Sequence, residues 1–294
     1  PWLSTRNMRD AMPGMNRSDE EIASTIAKGV ERLFSMQTND GGLGYWPGAS
    51  QSVLWGSAYG GVVIAMAQQQ GIPVPAAQAE ALWKYLSQNL RNAAEQKKAY
   101  ELSQRCLAAY TLALAGRAEP SYHEVLFEKR KLLPSEARSL LALAMIETGA
   151  AGQPELQPRL DALLADEGLV PTSEVAWYGR PYETATRLLA EVRRNADAGE
   201  VNDLIDELMR LRQPVRGWGS TYSNAWPLLA LSAYSESALG DLSANEIEVR
   251  YGGESDTVAL EAKPSTGGVS YRFEGDATAE PLSLSIAGSG PVYA

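Results

Sequence analysis

Soft metal ligands and nucleophiles are nearly missing from this chain of 294 residues, which has one cysteine, Cys106, and one histidine, His123. A lone cysteine excludes an internal disulfide, and the two residues together are too few for the usual zinc sites, so neither a metal nor another cofactor is expected. A dense Lys/Arg stripe is also missing. With 36 acidic against 26 basic residues and a net charge of -10, the chain repels a nucleic-acid backbone or an anionic membrane surface. No apolar run is long enough to cross a bilayer and no signal-type segment is present, so direct membrane insertion by this chain is not expected. The sequence contains no P-loop, no nucleophile elbow and no His-Glu-x-x-His. What it has in quantity is apolar residues, 45% of the total, enough to fill a sizeable core.

That apolar content is laid out at helical spacing. Ser18-Asp19-Glu20-Glu21 has capping-box spacing, and Ile22, Ile26, Val30 and Leu33 follow on one face, which predicts a helix from Asp19 to Gln37. Similar signals predict helices over 53–70, 76–91, 99–116, 122–131, 135–149, 154–165, 181–196, 201–211 and 223–238. Many open on Pro and several close on Gly, the expected asymmetry of helix ends. Their faces are rich in Ala and Leu, and small residues let helices approach closely.

One pattern occurs twice. Gln37 to Trp46 reads Gln-Thr-Asn-Asp-Gly-Gly-Leu-Gly-Tyr-Trp, and a helix then opens on Trp55-Gly56-Ser57-Ala58-Tyr59. Later, Gly217-Trp218-Gly219-Ser220-Thr221 precedes Asn224-Ala225-Trp226 and another apolar helix. Gly41, Gly42, Gly44, Gly217 and Gly219 are the expected structural turn positions. About ten helices in consecutive hairpins, without intervening strands, point to an all-α fold: an α/α toroid or a solenoid of paired helices.

After Leu242 the period changes to alternation, at Ile247/Val249/Tyr251, Val258/Leu260/Ala262, Val269/Tyr271/Phe273 and Leu282/Leu284/Ile286. The expected division is a helical toroid over 1–241 and an antiparallel β-segment over 242–294. So short a β-segment hardly closes a core of its own, so it is expected to pack on a neighbour or complete a β-domain. Both chain ends, Pro1 and the strand-like Gly290 to Ala294, read as cut from something longer.

The order of Gln37, the Gly-rich turn, Trp55-Gly56-Ser57-Ala58-Tyr59, the Ala/Leu-rich hairpins and Gly217-Trp218-Gly219-Ser220-Thr221 resembles the thioester domain of the alpha-macroglobulin and complement family, above all its bacterial branch. The likeness covers about Trp2 to Ala238, and the strands from Ser243 onward resemble the family's CUB-like β-domain. It implies an α/α toroid within a protease-trapping endopeptidase inhibitor of the periplasm, whose parent is anchored as a lipoprotein in some members. Its implied partners are proteases and the remaining macroglobulin domains. The family's Cys-x-Glu-Gln is absent, since Cys106 is followed by Leu107-Ala108-Ala109; by the family's order the motif falls just before Pro1. The resemblance also implies an aromatic wall that keeps water from the thioester, with Trp46, Trp55, Tyr59, Trp218 and Tyr222 as its candidates. No catalytic residue is carried over.

Plainer readings stand beside these. Gly turns plugged by Trp brace any α/α toroid, and Lys28 to Trp46 also resembles the QW motif of terpene cyclases, whose Asp-rich cluster is lacking. Cys106 reads as a small buried hydrophobe, and His123, flanked by Glu119 and Glu124, as a solvated or capped surface residue. Asp203, Asp206 and Glu207 read as a solvated face near a helix N-terminus. An enzymatic alternative is a glycoside-active toroid using Asp166, Glu167 and Glu174 with Trp177 and Tyr178 as a sugar platform; another is a thioester-free interaction scaffold.

Overall fold

The computed structural model describes residues 2–4, 17–165, 179–240, 245–251, 254–260 and 283–287. Ten α-helices of eight or more residues occur among them: α1 (Asp19–Phe34), α2 (Leu54–Gln69), α3 (Ala76–Leu90), α4 (Ala99–Leu114), α5 (Pro120–Glu128), α6 (Ser135–Glu147), α7 (Gln157–Leu164), α8 (Arg180–Arg193), α9 (Ala198–Arg210) and α10 (Thr221–Gly240). Residues 2–4 form a short helical segment.

The even-numbered helices make an inner layer. α2 packs on α4, α4 on α6, α6 on α8 and α8 on α10, while each odd-numbered helix lies outside, against one or both of its sequence neighbours. Sequence decides the layer. In α4 every residue from Cys106 to Leu114 is buried, and in α6 every residue from Glu136 to Ile146 is, so that apart from Glu136 and Arg138 apolar or small residues dominate all sides of both helices. α1 instead buries one stripe, Ile22, Ile26, Val30 and Phe34, and α9 buries Val201, Leu204, Ile205 and Leu208. α1 starts where its sequence says it should. Ser18 Oγ accepts from the Glu21 N–H at 3.2 Å while the Glu21 carboxylate accepts from the Ser18 N–H at 3.1 Å.

First and last inner helices meet through side chains and through residues 2–4. Gln70, just after α2, donates to the Leu3 carbonyl at 3.0 Å, and Ser232 of α10 donates to the Ser4 carbonyl at 2.9 Å. The result is the expected all-α architecture of helical hairpins, carrying a small β-segment at its C-terminal side.

That segment has β1 (Asn245–Tyr251), β2 (Glu254–Leu260) and β3 (Ser283–Ala287), antiparallel in the order β2-β1-β3. Ile247 stands opposite both Val258 and Ile286, as the alternating apolar pattern requires. The strand expected around Val269 to Phe273 lies outside the described residues.

Both repeated turns have the same construction, a single antiparallel bridge after an outer helix: Gln37 with Leu43, and Gln213 with Gly217. In the first, Gln37 Nε2 donates to the carbonyls of Gly41, at 2.9 Å, and Gln78, at 2.8 Å. Gly41 carries the turn at φ 92°, and a Cβ there would stand 2.4 Å from the Ala81 carbonyl oxygen of α3. Gly42, the neighbouring expected turn position, does not take positive φ; it is needed small because Ser52 and Tyr85 crowd it. Gly41→Ala is therefore expected to cost about 2 kcal/mol from backbone strain and the forced retreat of α3. A thermal melt reads this out, and an unchanged midpoint would refute it.

Candidate functional site

The inner helices bring their N-terminal turns to one mouth of the ring, and the repeated sequence blocks place aromatic rings there. Trp55 and Tyr59 sit one turn apart on α2 and stack at 5.7 Å, 13° from parallel. On α10 the mirrored pair Tyr222 and Trp226 is also one turn apart. Tyr222 lies 5.2 Å from Trp55 and 4.7 Å from Tyr59, edge on, so the two pairs interlock across the junction of α2 and α10. Tyr182 of α8 approaches Tyr222 at 5.2 Å and Trp226 at 5.4 Å, and Tyr110 of α4 reaches Trp226 at 6.4 Å. Burial pushes the Tyr59 phenol up to about 12 and moves Tyr110 upward too, so both hydroxyls remain protonated across the ordinary pH range.

Two cavities flank this cluster. One, of about 210 Å³, is a largely apolar groove between α1, α2, α10 and residues 2–4; Trp2, Ile26, Val62, Met66, Trp226 and Leu229 are among its walls. The other, of about 40 Å³, opens at the starts of α2, α4, α6 and α8, and Glu136 lies in its wall. Only 1% of Glu136 is exposed, and neither carboxyl oxygen has a hydrogen-bond partner in another described residue. Burial raises its pKa to about 7, with Glu183 adding to the rise and its own backbone N–H opposing it.

The structure separates the residues singled out from sequence. Trp55, Tyr59 and Tyr222 converge, whereas Trp46 does not join them: it is 72% exposed and stands 6.0 Å from Tyr45, which is exposed as well. Trp218 braces its own turn, donating through Nε1 to the Leu208 carbonyl at 2.7 Å. Gly217 and Gly219 take φ of 58° and 113°, while Gly44 packs against Ala49 at ordinary φ. Tyr110, Tyr182 and Trp226 belong to the cluster and were not picked out. Trp226 carries a readable signal, the spacing Tyr222-x-x-x-Trp226 that mirrors Trp55-x-x-x-Tyr59.

His123 is a correction. Rather than solvated, it is 3% exposed on the inner face of α5, where burial pulls its pKa down to about 4 despite the opposing effect of Glu124. One turn of phase with Leu126, also buried, puts it there. Cys106 is fully buried and its thiol pKa is pushed up, first by burial and then by Glu136. Asp203 and Asp206 face solvent, and Glu207 pairs with Arg180 at 2.6 Å. Asp166, Glu167, Glu174, Trp177 and Tyr178 lie outside the described residues.

The second turn depends on Asn224. Its Oδ1 accepts from the Trp218 N–H at 2.9 Å, and its Nδ2 donates to the Gly219 and Ser220 carbonyls at 3.1 and 2.8 Å. Asn224→Ala is expected to cost about 1–2 kcal/mol by leaving these backbone groups unmatched. Faster proteolytic cutting between Gln213 and Ser220, before any global unfolding, is the expected readout; unaltered cutting would count against the brace.

No family model matches the chain, and no curated protein matches it. Solved structures do resemble it. It is similar to trypsin-activated alpha-2-macroglobulin from Escherichia coli with a TM-score of 0.66 at 17% identity, over 97% of this chain and 18% of that one. Native alpha-2-macroglobulin from Escherichia coli, from domain MG7 to the C-terminus, gives 0.63 at 18% identity over 90% of this chain and 44% of that one. Salmonella alpha-2-macroglobulin reacted with methylamine gives 0.66 at 19% identity, over 90% and 18%. The chain thus has the fold of a segment of bacterial alpha-2-macroglobulins and spans less than half the length of each.

Proposed function

We propose that this chain is the thioester-type helical domain, residues 1–241, with part of the following β-domain, residues 242–294, of a bacterial alpha-macroglobulin-like protein that traps proteases in the periplasm. The observation that carries the reading is the continuity of the likeness. It runs over nine-tenths of the chain or more, through the helical ring and on into the strands, with helices and strands in that order. The chain works as a binding and conformational module, not as an enzyme. Its partners are proteases and the other domains of the parent.

Trp55, Tyr59, Tyr182, Tyr222 and Trp226 form the water-excluding wall in this reading, which narrows the wall expected from sequence by leaving out Trp46 and Trp218. An acyl group lying against such a wall is shielded because the rings displace the water that would hydrolyse it. The chain itself supplies no acyl group, because Cys-x-Glu-Gln is absent from it.

The longer parent tests this. Mixed with trypsin and passed over a sizing column, it is expected to retain the protease, which still cleaves a small chromogenic peptide but not a large protein substrate. Labelled methylamine incorporated by the parent marks a thioester version, and retention without label marks a thioester-free one. A parent that retains no protease removes the trapping reading in either form.

A further inference from the structure

We propose that the small cavity at the mouth of the ring is a subsite for the end of a primary ammonium group, such as a lysine side chain, which it holds between the Glu136 carboxylate and a cage of aromatic rings. The inference goes beyond protease trapping and does not depend on it, since it concerns non-covalent recognition by residues of this chain alone.

Four observations converge. Glu136 is 1% exposed, and neither of its oxygens has a hydrogen-bond partner in another described residue. Ser103, at 9% exposure, has an Oγ in the same condition, and both residues border one cavity of about 40 Å³. A buried carboxyl without a partner is costly to keep, and an unmatched acidic oxygen facing a void is an arrangement that a donor from outside completes. Trp55, Tyr100 and Tyr182 supply three further walls, and Gln104 and Leu107 complete the lining. Aromatic faces around a carboxylate are the chemistry that recognises an ammonium.

Size and charge narrow the choice. A cavity needs about 10–15 Å³ of such space for one water, so this one admits a methylammonium-sized head but not a sugar or a nucleotide. No lysine or arginine among the described residues lines it, which argues against an anion. The helix N-termini at this mouth bring partial positive charge, since Trp55, Tyr100, Glu136 and Tyr182 all lie in first turns, and the full unit charge of the ionised Glu136 is what offsets it.

The titratable and charged groups facing Glu136 from the packed elements are Tyr100 and Cys106 on α4 and Tyr182 and Glu183 on α8. None of these is basic among the described residues; Lys98 Nζ stands 5.7 Å from the centre of the Tyr100 ring. With the Glu136 pKa raised to about 7, a cation binds the ionised fraction and releases a proton from the rest. Apparent affinity for an amine that stays charged is therefore expected to rise about tenfold from pH 6 to pH 8.

Calorimetric titration of the whole 294-residue chain with methylammonium chloride provides the test, with methanol, acetate and potassium chloride as parallel probes. Saturable binding is expected for methylammonium only, stronger at pH 8 than at pH 6, and weakened at least tenfold in Glu136→Gln. Ser103→Ala is expected to weaken it several-fold and serves as a second variant should Glu136→Gln fold poorly. Equal binding of methanol or potassium, a preference for acetate, affinity unaffected by both substitutions, or no saturable methylammonium binding would each overturn the proposal. Retention of trypsin by the parent does not depend on these results.

Discussion

Replacing Trp226 by alanine is expected to destabilise the helical ring by about 3–5 kcal/mol, the range for emptying a large aromatic site in a packed core. Trp226 is 2% exposed and lies within 6.5 Å, centre to centre, of Tyr59, Tyr110, Tyr182 and Tyr222. Those tyrosines come from α2, α4, α8 and α10, so one indole ties the first inner helix to the last and to two between them. Its Nε1 has no hydrogen-bond partner among the described residues, which makes its contribution one of packing. Trp226→Phe is accordingly expected to recover much of the loss, because it keeps a ring and removes an unmatched N–H. Urea unfolding of the three proteins decides the matter. If the alanine and phenylalanine variants were both within about 1 kcal/mol of the parent, the cluster would not be what closes the ring.

Glu136→Gln is expected to act in the opposite direction and only above a certain pH. An unfolded Glu136 loses its proton near 4.5, while the folded one holds it to about 7. Between those values the unfolded state is the one that ionises, so the parent protein loses stability as pH rises through the window and levels off above it. Below pH 4 both states carry the proton and the substitution changes little. At pH 8 the variant is expected to be more stable by about 2–3 kcal/mol, the equivalent of the raised pKa less the cost of a buried amide. Melting midpoints at pH 4, 6 and 8 give the comparison, and parallel curves for the two proteins would show that Glu136 has ready access to water in the folded state.

These two residues illustrate what sequence conveys and what it does not. Layer assignment was legible, because all-round apolar helices such as α4 and single-stripe helices such as α1 differ in periodicity alone. The starts of α1 and the hairpin turns were legible for the same reason: caps and glycines act on their immediate neighbours. The apolar pattern predicts α5 from residue 122, two residues late, since Pro120 at its first turn opens it earlier, and at its other end the chain leaves the α-helix after Glu128 for a tighter turn at Arg130–Leu132.

The site was legible only in part. Trp55, Tyr59 and Tyr222 announce themselves beside Gly-rich turns, but Tyr110 and Tyr182 come from helices far away in sequence and meet Trp226 only through closure of the ring. Trp46 and Trp218 occupy the same kind of turn in sequence and end in opposite situations, one exposed and one braced against Leu208. An acid at the second position of a helix reads as a partner for the helix dipole. Its burial depends on α4 and α8 standing on either side, which no local pattern encodes.

The hydrogen bond from Ser232 to the Ser4 carbonyl joins residues 228 positions apart. During synthesis such a clasp has to wait until nearly all of the helical region has left the ribosome, so the hairpins assemble in order while the seam between α2 and α10 is still open. The growing helical region is therefore an incomplete arc until α10 emerges, with the apolar faces of α1 and α2 that Trp226 and Leu229 later cover still open. Holding factors that bind exposed apolar surface would find their target there, and a stop codon placed before α10 would yield a sticky product rather than a smaller working ring.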